Sequence, residues 1–169
     1  MAITDDIADI VEGIVQEIVW PKPVFYLTGT RLAANNEWTR SGADLTAKLP
    51  LIWLLETMNE RFGGQESSIE RSSDLRIFIL EETNVREFYT RDHREQVVRP
   101  MQELAIELVR VVTNTARFKR PENFQIRSFS RFGVEETKGV VQNILDANLS
   151  GVELQLTLDI YKENNCSDL

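Results

Sequence analysis

The chain has 169 residues, 42% of them hydrophobic, and a formal net charge of −8; that is enough for one domain with its own core, needing neither metal nor disulfide to fold. The acid excess argues against general affinity for nucleic acid, which requires clustered Lys and Arg, and no apolar run approaches the ~20 residues that cross a bilayer. The single cysteine, Cys166, cannot form an internal bridge, which fits folding in a reducing compartment.

The start, Met1 to Asp6, lacks the basic residues and apolar run of a signal peptide, so the expectation is a soluble protein made inside the cell. Residues 1–20 form the first predicted helix. Thr4 is its expected N-cap, and Ile7, Ile10, Val11, Ile14, Val15 and Ile18 recur at helical spacing. Trp20-Pro21-Lys22-Pro23 ends it, because proline removes a donor and biases its predecessor away from helical angles. Val24 to Thr28 is β-branched and aromatic and predicts a strand. The polar stretch from Gly29 to Lys48 predicts a long connection. Leu49 to Leu55 is apolar on both faces and predicts a buried strand with Pro50 at its beginning.

Glu60 to Ser68 is polar, contains Gly63-Gly64, and predicts a link to a strand over Asp74 to Glu81. Thr90 is placed to cap a second helix whose stripe is Val97, Met101, Leu104, Ala105, Leu108 and Val112. Pro100 interrupts that stripe, which predicts either a kink or a fresh start near Arg99. Phe124 to Phe132 predicts another strand, and Gly133 to Ser150 an irregular segment. The last strand alternates strictly, with Val152, Leu154, Leu156, Leu158 and Ile160 on one face and Glu153, Gln155, Thr157 and Asp159 on the other. Residues 162–169 form a polar tail. The whole predicts a single α+β domain over residues 1–169: a mostly antiparallel sheet of about five strands with two main helices packed on one face.

No residues meet the requirements of a recognised chemistry, so no catalytic, cofactor or metal site is expected. The lone His93 sits among Asp92, Arg94 and Glu95 without a second histidine, and reads as a solvated helix-start residue. The pairs Asp5-Asp6, Glu81-Glu82 and Glu135-Glu136 are adjacent, so their carboxylates diverge where shared proton transfer needs convergence. Neither Gly29 nor Gly63-Gly64 belongs to a phosphate-binding motif. What stands out instead is aromatic and arginine residues in polar stretches. Trp38, Arg40, Arg61, Phe62, Phe88, Tyr89 and Phe118 are candidate interface residues, since these types anchor protein–protein contacts.

Several segments together resemble the small tail-terminator and tail-completion (neck) subunits of tailed bacteriophages. They are the first helix running into Val24-Phe25-Tyr26-Leu27-Thr28-Gly29-Thr30, the segment Lys48 to Leu55, and the strand Leu75 to Leu80 leading through Thr83-Asn84 to the helix containing Val97-Val98-Arg99-Pro100-Met101. The closing stretch, Leu145-Asp146-Ala147 followed by Val152 to Ile160, is similar as well. The resemblance implies a homo-oligomeric ring, commonly a hexamer. Such a ring caps the tail tube, joins it to the head-side connector proteins, and lets DNA pass through an acidic lumen without specific binding. It also implies a place in the virion after synthesis in a bacterial cytoplasm, with no membrane partner and no cofactor. A non-catalytic cytoplasmic adaptor and another head–tail connector protein are the alternative readings.

Overall fold

In the computed structural model the described residues are 5–40, 48–56, 59–65, 68–129, 134–137, 140–143 and 148–161. The first helix, α1 (Ile7–Gln16), buries Ile7, Ile10, Val11, Ile14 and Val15, as its spacing predicts. Its N-cap is Asp6, whose carboxylate accepts from the Ala8 N–H at 2.9 Å; the expected cap, Thr4, lies outside the described residues. A cap must immediately precede the first helical residue, and the helix begins at Ile7. Asp6→Ala should therefore destabilise the domain by about 1 kcal/mol, read as a lower urea midpoint with unchanged slope.

The strands β1 (Phe25–Gly29) and β2 (Leu51–Leu55) pair in parallel, Phe25 opposite Leu51. Parallel neighbours need a crossover between them, and it contains α2 (Arg31–Arg40). The expected plain connection from Gly29 to Lys48 is thus partly helical. A stretch this polar carries no helical apolar stripe, and among the described side chains of α2 only Ala34 is fully buried on the sheet.

Beyond β2 the chain continues as β3 (Asn59–Gln65) and returns as the 15-residue β4 (Ser68–Glu82). One side of β4 pairs with β2 through Leu51–Leu80 to Leu54–Ile77, and with β3 through Asn59–Asp74 to Gln65–Ser68. The polar stretch expected as a link is therefore a strand, stabilised by its ladder to β4. The final strand, β8 (Leu149–Tyr161), lines the other side of β4 from Glu70 to Glu82, and β5 (Phe124–Phe129) lies outside it. The main sheet has six strands in the order β1-β2-β4-β8-β5 with β3 beside β4, antiparallel except for β1–β2. A separate hairpin, β6 (Val134–Thr137) and β7 (Val140–Asn143), occupies part of the stretch expected to be irregular.

The second long helix forms in three pieces. Thr90 accepts from the His93 N–H at 3.1 Å and caps α3 (Arg91–His93). A π-helical segment, Arg94–Val98, follows, and α4 (Arg99–Asn114) then starts with Pro100 in its first turn. Pro100 has no N–H to give the carbonyl four residues earlier, so the wider turn and fresh start fall where that bond is missing.

Two cores flank the sheet. The larger lies between one sheet face and the helices α1 and α4, and it contains Val152, Leu154, Leu156, Leu158 and Ile160, the five alternating aliphatics of β8. Tyr26 ties α1 to β1 by donating to the Ala8 carbonyl at 3.0 Å, and burial pushes its phenol pKa up. The smaller core, on the opposite face, gathers Leu27, Ala34, Leu51, Trp53, Phe78, Leu80 and Leu149. The two main helices, α1 and α4, thus share one face as expected, and the additional helix α2 shields the end of the sheet where the second face is aromatic. The architecture is α+β.

Candidate interaction surface

Away from α2 the second sheet face is polar and carries a network of ion pairs. Arg61 on β3 holds Asp74 on β4 in a two-pronged contact at 2.7 and 2.9 Å, and Thr157 on β8 donates to the same carboxylate at 2.8 Å. Hydrogen bonds from Arg61 and Thr157 hold the Asp74 carboxyl below the usual carboxylate range. Both Arg61 and Asp74 are solvent-exposed, so this pair orders the surface more than it stabilises the fold.

Beside it Arg76 contacts Glu153, which also accepts from the Gln155 amide at 2.7 Å. The Arg76 guanidinium lies 5.3 Å from the centre of the Phe78 ring. Burial pushes the Glu153 carboxyl up, but Arg76, Gln155 and Arg127 outweigh it, and the group stays below its ordinary range. Strand alternation alone placed Glu153 on the wetter face, yet it is only 4% exposed, because Arg76 and Gln155 close over it. The partners are 77 residues apart in sequence, so no local pattern announces the pair. Next to this network a groove of about 430 Å³ runs between the start of β3 and the outer strand β5, lined by Asn59, Asp74, Arg76, Phe124, Gln125 and Gln155.

The candidate interface residues fall in different environments. Trp38 and Arg40 belong to the last turn and a half of α2, but their side chains lie outside what the structure describes. Phe62 on β3 is 60% exposed, beneath the Arg71 guanidinium at 5.7 Å from the ring centre. Arg71 is itself buried and donates to the Asp5 carbonyl at 2.6 Å as well as to Glu60, joining the β3–β4 hairpin to the approach of α1. Phe88 is half-buried, and Tyr89 beside it is 78% exposed. Phe118 is a correction: it is buried in the larger core and bridges to Ile160 on β8, so it holds the domain together rather than facing a partner. Arg61 and Phe62 are adjacent on β3, whereas Phe88 and Tyr89 sit beyond the far end of β4, so these residues do not form one patch.

The residue missed was Phe124, exposed on the outer strand with its neighbour Gln125. A signal was present: Phe124-Gln125-Ile126-Arg127-Ser128-Phe129 puts an arginine and apolar residues together with no long alternation, as suits an outer strand partly buried only at Ile126 and Phe129.

His93 is the second correction. Expected in solvent, it is 2% exposed, with Nε2 at 2.9 Å from the Ser150 hydroxyl and 3.2 Å from that of Thr83. Its charged sequence neighbours Asp92, Arg94 and Glu95 point outward while its own ring packs inward on the strand ends. The ring stands edge-on to Phe88, with centroids 5.8 Å apart. A serine and a histidine in contact invite a nucleophilic reading, but Ser150 is fully buried, out of reach of a substrate. Among the described residues no three His, Cys, Asp or Glu side chains are grouped to hold a metal ion, and no helix is long and apolar enough to cross a membrane.

No protein-family profile matches the chain, and no curated protein matches its sequence.

Proposed function

We propose that this chain is a structural subunit of the tail-terminator or tail-completion kind. It assembles with copies of itself into a ring, commonly a hexamer in the group it resembles, and that ring caps a tail tube and presents a docking face to connector proteins. The observation that supports assembly most directly is the outer strand β5. Among the described residues it pairs with β8 alone, and Phe124, Gln125, Arg127 and Ser128 on it are exposed. A strand edge without a partner, as this one is among the described residues, can pair with another chain, and proteins that stay monomeric cover or block such edges. The resemblance in sequence pattern supplies the choice of a phage tail as the setting. The acid excess fits a lumen through which DNA slides, since like charges repel phosphate.

Native mass spectrometry of the pure protein, alone and with tail-tube ends, tests this reading. The expected result is a closed homo-oligomer in at least one of the two samples. A monomer in both, with no binding to tube ends or connector protein, would eliminate the ring and leave the adaptor reading.

A further inference from the structure

His93 joins three parts of the fold. It begins the helix that becomes α4, its ring touches the last residue before the Asn84–Thr90 turn through Thr83, and it reaches the start of β8 through Ser150. The turn it closes is strained: Tyr89 adopts φ of 68°, a left-handed conformation. For a residue with a bulky side chain that conformation is disfavoured and persists only where surrounding contacts impose it. Among the described residues, hydrogen bonds within the turn and at the helix start hold it. The Glu87 N–H donates to the Asn84 carbonyl at 2.9 Å, the Thr90 hydroxyl to the Glu87 carbonyl at 2.8 Å, and the Arg94 N–H to the Thr90 carbonyl at 3.2 Å. Phe88, immediately before the strained residue, rests on the imidazole.

The imidazole is buried in its neutral form. Because Nδ1 has no acceptor within reach among the described residues, we place the single proton on Nε2, where the two hydroxyls share it, and Nδ1 carries only a lone pair. Nδ1 is buried and has no hydrogen-bond partner among the described residues. A second proton would create a buried N–H with no acceptor and a charge in a site walled by Phe88, Thr83 and Ser150, both costly. Of the charged groups nearby, Arg91, Asp92, Arg94 and Glu95 on the same helix and Glu82 at the end of β4 are exposed, and Glu81 is half-buried. The charge that bears on His93 is Glu87, from the turn itself, and it favours protonation.

We propose that His93 is a proton-operated latch: neutral, it holds the Asn84–Thr90 turn and its exposed Tyr89 closed on the ends of β4 and β8, and on gaining a proton it lets that turn go. Burial lowers the His93 pKa below its ordinary value of 6.5, with Glu87 opposing. The unfolded or opened chain therefore binds the proton more readily than the closed one. The latch is at full strength above about pH 6.5 and weakens as pH falls below it. The strain at Tyr89 favours opening once the hold is lost. The inference concerns a local element and stands whether or not the chain forms a ring.

His93 is the only histidine in the sequence, so its ring resonances can be followed by NMR without ambiguity. In the whole protein the ring is expected to titrate with a midpoint below that of a free histidine. Over the same range, amide exchange at Glu87, Thr90, His93 and Arg94 should lose protection, after correction for intrinsic rates, by up to about tenfold per pH unit. The amides of Ile77 and Leu154 in the sheet centre should keep theirs. Glu87→Gln should move the midpoint lower still, and His93→Gln should make protection of the turn independent of pH. A normal midpoint for the ring, unchanged protection of the turn at about pH 5, or the same pH dependence in His93→Gln would each overturn the latch. Should His93→Gln fail to fold, the wild-type titration and the Glu87→Gln shift decide the matter.

Discussion

Gly151→Ala is expected to destabilise the domain by about 3 kcal/mol or more, the upper part of the range for forcing atoms into a packed interior. Gly151 lies in β8 opposite Leu80 of β4 on one side and Phe129 of β5 on the other. A Cβ there would sit 2.0 Å from the Ile79 carbonyl oxygen, 3.0 Å from its carbon and 3.1 Å from the Leu80 Cα. All three are backbone atoms of a central strand, so no side chain can rotate to make room and the two longest strands must part. For a domain of this size the loss corresponds to a fall in melting temperature of roughly 6–12 °C, from about 2–4 °C per kcal/mol. Thermal unfolding followed by circular dichroism measures it, and a variant within about 0.5 kcal/mol of wild type would show that the strands do not approach this closely.

Leu156→Asp should be at least as damaging, and Thr157→Asp, one position on, far less. Leu156 is buried in the larger core opposite Leu75 and Phe124. Aspartate there loses the buried side chain and leaves a carboxylate without a partner, together costing about 4 kcal/mol or more, a large share of a typical domain's total stability. From alternation alone Thr157→Asp would be silent. The structure gives it a modest cost, because Thr157 sits directly across from Asp74 and donates to it. A new carboxylate would replace that hydrogen bond with repulsion, softened by Arg61 and by solvent, for about 1 kcal/mol. Urea unfolding of both variants checks the pair. Equal losses would mean that the inside and outside of β8 are wrongly assigned.

Where the chain repeats at a fixed period, its fold was legible. The apolar stripe of α1, the five alternating aliphatics of β8 and the double-sided apolar run of β2 each match one geometry, because burying them requires it. The break at Pro100 was legible too, since a missing N–H has a local consequence. Three strands, β3, β6 and β7, and the helix α2 were not. The ladder to β4 holds β3 as a strand despite its polar residues and paired glycines, and α2 forms in a stretch with almost no apolar stripe. Hydrogen bonds to distant segments decide such elements, and no window of sequence contains them.

The surface follows the same division. Composition and spacing by themselves determined that the fold is α+β, with an acid excess and aromatics set in polar stretches. Which aromatics are free to meet a partner was decided by packing: Phe118 went into the core because α4 ends where β8 can cover it, while Phe62, Tyr89 and Phe124 stayed outside. Tertiary structure also turned His93 from a member of a charged run into a buried link between two strand ends. Its partners Thr83 and Ser150 stand 10 and 57 residues away, and burial is a property of everything that folds around a residue rather than of its neighbours in the chain.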